Sequence, residues 1–142
     1  MSTHERALRT LREAGCSREV IKHCLAVERV ALRIAKKVKK NGYRVNLKIV
    51  SLGALIHDIG RARTHGIKHG VEGAKILRGM GLGSFAGFAE RHLGAGILAE
   101  EARELGLPPR DLMPHSLEEK IVTYADKLLM GSRSTDYEGA LR

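Results

Sequence analysis

Apolar residues recur every three or four positions along most of the chain, a spacing typical of amphipathic helices. The clearest stripe predicts a long helix that is capped by Ser17 and runs to about Lys40; its members are Val20, Val27, Val30, Ile34 and Val38. The same spacing predicts helices over residues 3–14, 47–59, 69–79, 85–92 and 97–105, and a last helix through Met130. Because no segment alternates strictly between apolar and polar residues over a useful length, the pattern predicts an all-α fold.

Glycines and short polar residues mark the ends of several predicted helices. Gly15 stops the first helix, and Asn46 is placed to cap the helix that begins at Leu47. Gly60 is expected to supply the left-handed residue that often follows a helix C-terminus. Ser116 and Glu119 have the spacing of a capping box at the start of the last helix.

Length and composition are those of one folded domain. A chain of 142 residues with 43% hydrophobic and 29% charged residues buries roughly two-thirds of its unfolded surface. With two Phe, three Tyr and no Trp, the core depends on Leu, Ile, Val and Ala, which suits helices. We therefore expect a single compact helical domain over residues 1–142, with about six or seven helices. Its core lies between about 20 and 129, and the polar tail 131–142 is expected to be loosely attached.

The chain is strongly basic, with 25 Lys and Arg against 16 Asp and Glu and a formal net charge of +9. Many cations lie in residues 33–44, RIAKKVKKNGYR, on the polar side and at the far end of the long helix. This cluster is either a solvated helix face or a surface that binds phosphate or nucleic acid. The interleaved aromatic residues of single-strand binders are missing, so nucleic acid is possible but not favoured, and the charge alone does not identify the anionic partner.

The cysteines and the apolar segments bear on localisation. Cys16 and Cys24 are too few for a disulfide framework, and Cys24 lies on the apolar stripe of the long helix, where we expect it to pack in the core. No segment resembles a signal peptide or a membrane span. We expect a cytoplasmic protein with reduced thiols and no membrane partner.

Four polar residues occupy positions that the apolar pattern directs toward the core. His23 lies on the stripe of the long helix, Asp126 on the apolar face of the last helix, and His57 and Asp58 at the inner end of a third helix. Burying an unpaired carboxylate costs on the order of several kcal/mol of folding free energy, so a buried carboxylate normally has a partner. Imidazole nitrogens and carboxylate oxygens together form a natural ligand set for a divalent cation such as Mn, Fe, Co, Ni or Zn. One shared metal site explains these positions more simply than unrelated buried polar residues on three different helices.

This pattern resembles that of the HD-domain metal-dependent phosphohydrolases. That family has a histidine on an early helix, a His-Asp dipeptide and a late aspartate, and this chain has His23, then His57 and Asp58, then Asp126 in YADKL. The HDIGR segment is similar to the HDIG subgroup, with Arg61 where lysine is more usual. The resemblance covers about residues 20 to 129. It implies an all-α HD-type fold and a divalent metal held by these four residues.

The resemblance adds two further histidines. In HD proteins with two metal ions, additional histidines lie between the dipeptide and the last aspartate, and here His69 and His92 stand in that region. They are candidate ligands of a second ion, contacts for substrate phosphate, or structural histidines. Many two-metal members carry another histidine directly after the position of His92, whereas this chain has Leu93. The chain is thus expected to hold one or two ions.

The remaining histidines match no position of the family. His4, His65 and His115 are therefore expected in loops or on the surface, although His65 is close enough to the dipeptide in sequence to touch a substrate.

The resemblance and the residues imply the same reaction. A divalent ion in this site would activate a water molecule for attack on a phosphate ester. Asp58 is the candidate bridging or proton-accepting carboxylate, and Arg61 and Lys127 are candidates for neutralising phosphate charge. The expected function is hydrolysis of a small phosphate ester, most plausibly a nucleotide. The alternatives are a noncatalytic, metal-stabilised module that binds nucleotide or RNA, and an HD-type oxygenase with two irons.

Overall fold

The structure, a computed structural model, describes residues 2–92, 99–107 and 112–135, the last five of these by their backbone only. These residues form seven α-helices: α1 (Thr3–Ala14), α2 (Arg18–Lys40), α3 (Leu47–Ile56), α4 (His69–Gly79), α5 (Ala86–Glu90), α6 (Ala99–Glu104) and α7 (Leu117–Thr135). The prediction of an all-α fold is confirmed. Within the described ranges, no helix has both the length and the apolar character needed to cross a membrane.

The predicted N-caps of the two helices at the centre of the fold are present. The Ser17 hydroxyl accepts a hydrogen bond from the N–H of Val20 at 3.2 Å, and the Asn46 side-chain oxygen accepts one from the N–H of Ile49 at 3.1 Å. Each cap satisfies one of the backbone donors that a helix start leaves unpaired. The caps therefore set where α2 and α3 begin, and with them the position of the residues further along both helices.

The long helix α2 packs against α3 and α7, which places its apolar stripe at the centre of the molecule. Val20, Cys24 and Val27 are buried along this stripe, as predicted. Cys24 is fully buried, and desolvation together with the nearby Asp58 carboxylate raises the pKa of its thiol well above the usual value. It is therefore a packing residue of the core.

The end of α3 differs from the prediction. The helix ends at Ile56, and residues 59–62 form a separate 3-10 turn, so the predicted helix over 47–59 is too long. Gly60 does not have a positive φ, and the prediction that it is a left-handed helix terminator is wrong. Its role is a close contact between backbones: a Cβ at this position would lie 1.7 Å from the carbonyl O of His69 and 2.6 Å from the N of Gly73. Only glycine lets the 3-10 turn approach α4 this closely.

We predict that Gly60→Ala strongly destabilises the fold. The added Cβ meets main-chain atoms of α4, which cannot rotate away as a side chain can, so the loss in free energy of unfolding should be at least about 3 kcal/mol. Urea or thermal unfolding followed by circular dichroism measures it. Gly79→Ala is the matched control, because a Cβ at Gly79 meets nothing within 4 Å and alanine is favoured in a helix by up to about 1 kcal/mol. Equal midpoints for Gly60→Ala and the unmodified protein would contradict the close approach.

The later helices also differ from the prediction in their bounds. The helix predicted over 85–92 is shorter, because residues 83–85 form a 3-10 turn and α5 spans only Ala86–Glu90. Of the helix predicted over 97–105, residues 99–104 are helical, and its first two residues lie outside the described ranges. The last helix continues beyond Met130 to Thr135, so the first five residues of the predicted tail are helical; residues 136–142 lie outside the described part of the chain.

The capping box predicted for α7 is only half formed. The Ser116 hydroxyl accepts the N–H of Glu119 at 3.0 Å, as predicted. The Glu119 carboxylate instead accepts two hydrogen bonds from the guanidinium of Arg91, at 2.9 and 2.8 Å, and one from the N–H of His115. A two-bonded Arg–carboxylate pair is stronger than the bond to an N-cap N–H that it replaces. It joins the end of α5 to the start of α7.

Candidate metal centre

The structure brings all six predicted metal ligands into one buried cluster. The helix α2 contributes His23, and α7 contributes Asp126. His57 and Asp58 follow the end of α3, His69 is the first residue of α4, and His92 follows the end of α5. Five elements therefore supply the side chains of one site. The polar positions on apolar faces predicted this for His23, His57, Asp58 and Asp126, and the family resemblance added His69 and His92.

One part of the cluster consists of His23, His57 and Asp126. The Oδ1 atom of Asp126 lies 2.7 Å from Nε2 of His23 and 3.3 Å from Nε2 of His57. These three residues offer ligand atoms that all lie within 4.8 Å of one another, close enough to bind one ion together. They form the first group of candidate ligands.

The other part is centred on Asp58, which is only 2% exposed. Its Oδ1 atom lies 3.2 Å from Nε2 of His69, 3.4 Å from Nε2 of His92 and 3.9 Å from Nε2 of His57. The ligand atoms of His57, Asp58 and His92 again lie within 4.8 Å of one another. This second group shares His57 with the first, so the arrangement offers places for one ion or for two neighbouring ions.

Backbone carbonyl groups orient three of the four imidazole rings. In His57, His69 and His92, Nδ1 donates to the carbonyl oxygen three residues earlier, at 2.6, 2.9 and 2.7 Å respectively. These bonds direct Nε2 of each ring toward the carboxylates, the orientation that ligand histidines have when a second hydrogen bond holds their other nitrogen. The short helices and turns that precede these histidines thus act as supports for the site.

The electrostatics of the cluster favour a positive charge. Burial by itself lowers the pKa of His57, but the carboxylates of Asp58 and Asp126 outweigh it and raise that pKa to about 9. Burial likewise opposes ionisation of the two aspartates, yet the surrounding imidazoles hold the pKa of both well below the usual range. Both carboxylates are therefore ionised and attract a cation.

The unsatisfied Oδ1 of Asp58 and the facing nitrogens of His69 and His92 show that the donor set fits a metal ion. Oδ1 of Asp58 and Nδ1 of His23 are buried without a hydrogen-bond partner. In addition, Nε2 of His69 lies 3.2 Å from Nε2 of His92, although the other nitrogen of each ring already donates to a carbonyl. Facing nitrogens of this kind are satisfied by a shared proton or by a cation. A divalent ion between imidazole nitrogens and carboxylate oxygens would satisfy Oδ1 of Asp58 and the facing nitrogens of His69 and His92 together.

The cluster opens into a cavity of about 230 Å³. Its walls come from the start of α2, the segment after α3 and the end of α7; the lining residues are Ser17, Glu19, Val20, His23, Asp58, Arg61, His65 and Met130. The Nε of Arg61 donates to Oδ2 of Asp58 at 2.9 Å, and its Nη1 lies 3.5 Å from Nδ1 of His65. A guanidinium and an imidazole thus border the opening beside the candidate metal ligands, where they can bind an anion.

The other described residues singled out from the sequence do not belong to the metal cluster. Lys127 is half-buried next to Asp126 but does not line the cavity. His115 is exposed, as expected. His4 is a surface residue, as expected, with 44% of its side chain exposed; it lies in α1, and its Nε2 is 3.0 Å from the buried carboxylate of Glu28. Leu93, the departure from the two-metal pattern, lies outside the described residues.

Sequence analysis missed two residues of the cavity wall, Glu19 and Met130. Glu19 precedes His23 by four residues on α2, so its helical spacing from a candidate ligand could have revealed it. Met130 was predicted as the end of the last helix, and its place at the cavity depends on how α7 crosses α2. No local sequence signal reports that crossing.

Comparison with known proteins finds relatives that cover most of this chain. An uncharacterized protein of Methanocaldococcus jannaschii is 51% identical over 97% of this chain and 82% of its own length. Two proteins named tRNA (cytidine(56)-2'-O)-methyltransferase are 43% identical over 84% of the chain in Thermoplasma volcanium and 38% identical over 91% in Picrophilus torridus. The chain spans only 34% and 37% of the length of these two relatives. No solved structure matches the chain significantly.

The profile of the HD domain matches residues 20–131, which include all six candidate metal ligands. This range agrees with the extent of the resemblance predicted from the sequence, and the HDIGR segment is compatible with the HDIG subgroup. The chain belongs to the HD-domain family.

Proposed function

We propose that the protein is a metal-dependent phosphohydrolase that cleaves a phosphate ester of a nucleotide. The observation that carries this proposal is the cluster of imidazole nitrogens and two ionised aspartates, of which His23 and Asp58 line an open cavity together with Arg61 and His65. A metal that only stabilised the fold would not need cationic side chains at an adjoining opening. Membership of a family of the metal-dependent hydrolase type supports the same reaction.

The residues have separate roles in the proposed reaction. His23, His57, Asp58 and Asp126 would hold the ion, which when bound supplies Lewis acidity and a water molecule of lowered pKa. Arg61, fixed by its bond to Asp58, presents its remaining N–H groups to a phosphate oxygen. His65, exposed at the cavity edge, is placed to contact the same phosphate or its leaving group. Lys127 stays a prediction as a further neutralising cation.

A screen of the purified protein against a panel of phosphate esters tests the proposal. The panel includes nucleoside mono-, di- and triphosphates, dinucleotides and p-nitrophenyl phosphate, each with Mn, Co, Ni, Fe, Mg or Zn. We expect at least one ion per chain by elemental analysis and turnover with at least one transition metal, lost after chelation and restored by the metal. Retained metal without hydrolysis of any ester would contradict the enzyme, and failure to retain any added ion would contradict the metal centre.

A second candidate function is a noncatalytic module that binds RNA. The match to about a third of two proteins named as tRNA methyltransferases favours it, because HD-type sequence occurs there within proteins named for tRNA modification. In this case the metal would stabilise the fold and the basic surface would bind the partner. The same screen separates the two candidates, since only the enzyme turns over a phosphate ester.

We predict that the site holds two ions and that His69 and His92 bind the second. Both are only 4% exposed and contact Oδ1 of Asp58, so they lie deeper than the cavity residues that a substrate would touch. His69→Ala and His92→Ala should each lower the metal content from about two ions toward one and reduce turnover by several orders of magnitude. Elemental analysis and kcat measure the two effects.

The alternative role of these histidines gives a different result. If they contact phosphate, metal content stays unchanged and the loss appears as weaker substrate binding, on the order of 1 to 3 kcal/mol. His115→Ala is the control, because this exposed histidine lies outside the cluster. A stoichiometry of one under excess Mn or Fe, the same in both variants, would contradict the second ion but not the phosphohydrolase.

A further inference from the structure

The positive charge of the chain is concentrated in one segment. Residues 29–57 contain eight Lys and Arg and no Asp or Glu, whereas the rest of the chain has 17 Lys and Arg against 16 Asp and Glu. The excess charge of the molecule therefore belongs almost entirely to the second half of α2, the turn after it and α3. A charge so unevenly distributed is more than a means of keeping the protein in solution.

The tertiary structure arranges the cations of α2 in a line. Six exposed side chains lie within a narrow arc of the helix surface and are called here the α2 basic stripe: Arg18, Lys22, Arg29, Arg33, Lys36 and Lys40. The stripe is about 33 Å long, given the helical rise per residue. Among the described residues, the ion pairs of Lys and Arg involve other side chains, so the cations of the stripe are free to bind a partner.

The carboxylates near the stripe do not neutralise it. Glu28 is buried on another side of α2 and accepts hydrogen bonds from His4 and Ser51. Glu118 of α7 accepts the N–H of Asn46, beyond the end of the stripe. Glu19, the neighbour of Arg18 in the chain, lies at the wall of the metal cavity.

One end of the stripe lies at the metal cavity. Ser17, Val20 and His23 line the cavity and belong to the same helix turns as Arg18 and Lys22. A chain of phosphates bound along the stripe would therefore end beside the turns of α2 that line the cavity. Successive cations of the stripe lie one helical turn apart, about 5 Å, except Lys22 and Arg29, which lie two turns apart. This spacing suits repeated phosphate groups on a polynucleotide.

Two features identify a polynucleotide rather than a membrane surface. The apolar face of α2 is buried in the core, so the helix has no face left to insert among lipids. The segment 18–40 contains no Phe, Tyr or Trp on which unpaired bases could stack. Contacts from the stripe therefore go to a phosphate backbone, which favours a base-paired strand.

We propose that the α2 basic stripe binds the phosphate backbone of a base-paired nucleic acid whose terminal phosphate enters the metal cavity. The second half of this proposal, which names the substrate class of the metal cavity, rests on the proposed function. It makes a polynucleotide end, rather than a free nucleotide, the preferred substrate. Binding along the stripe does not itself require hydrolysis, so the two can be tested separately.

The test compares two triple variants that remove the same charge. Arg33, Lys36 and Lys40 are changed to Gln in the stripe variant, and the exposed residues Arg6, Arg9 and Arg12 of α1 are changed to Gln in the control. Fluorescence anisotropy measures binding of 5′-phosphorylated RNA and DNA hairpins of about 10 base pairs, a length that matches the stripe. We expect the stripe variant to bind at least about tenfold more weakly in 0.1 M salt. The slope of its log binding constant against log salt concentration should fall by the amount expected for about three lost phosphate contacts. The control should stay within about threefold of the unmodified protein.

Hydrolysis provides the second measurement. In the stripe variant, kcat/KM for the 5′-phosphate of the better-bound hairpin should fall in parallel with binding, while turnover of p-nitrophenyl phosphate stays unchanged. Equal loss of binding in both triple variants, or stripe-dependent binding to phosphatidylserine vesicles without binding to either hairpin, would overturn the inference. Stripe-dependent hairpin binding without hydrolysis of any ester would overturn the proposed function and leave the nucleic-acid surface.

Discussion

Replacing Asp126 by alanine is expected to abolish metal binding and phosphoester hydrolysis while the helical fold survives. Oδ1 of Asp126 is the carboxylate atom closest to both His23 and His57, at 2.7 and 3.3 Å. Without it, the first group of ligands loses its only negative charge, which the imidazoles of His23 and His57 cannot replace. We expect metal content to fall close to zero and turnover to fall by at least about a thousandfold.

Elemental analysis, steady-state kinetics and circular dichroism together measure this outcome. The side chain of Asp126 is only partly buried, with 14% of it exposed, so the helical signal should persist when it is removed. Glu118→Gln is the matched control, since it removes the same charge from the same helix outside the cluster. If Asp126→Ala retains full metal content and normal turnover, the assignment of the site is wrong.

The change Asp58→Asn should have an even broader effect, because Asp58 contacts both parts of the cluster and Arg61. Its oxygens lie within 4 Å of Nε2 of all four histidines, and Oδ2 accepts the bond from Arg61 at 2.9 Å. An amide has the same size but carries no charge. We expect loss of metal from both groups and a fall in turnover of several orders of magnitude.

Stability separates this variant from Asp126→Ala. Removing the charge of Asp58 leaves the Arg61 guanidinium, whose side chain is 25% exposed, without its buried partner. Breaking a buried pair costs about 3 to 5 kcal/mol, reduced here because the arginine is partly solvated. Chelated Asp58→Asn should therefore unfold at a lower temperature than chelated unmodified protein. Unchanged metal content in Asp58→Asn would exclude Asp58 as a ligand.

The sequence by itself determined the fold class, the main helices and the candidate ligands. Apolar spacing and local caps place α1, α2 and most of α3, because both signals lie within a few residues of the elements that they define. The candidate ligands stand out for a related reason. A carboxylate such as Asp126 on an apolar helix face is too costly to leave without a partner, so its position alone indicates a site.

Only the tertiary structure decided how these elements meet. The role predicted for Gly60 was wrong. A glycine is required there because a Cβ would clash with the backbone of α4, and not because of the φ angle of Gly60. Glu119 pairs with Arg91 instead of completing a capping box, since a stronger partner reaches it from another helix. The cations of the basic stripe are visible in the sequence, yet only the packing of α2 shows that they share one exposed face ending at the metal cavity. Contacts of this kind join residues far apart in the chain, and no local preference encodes them.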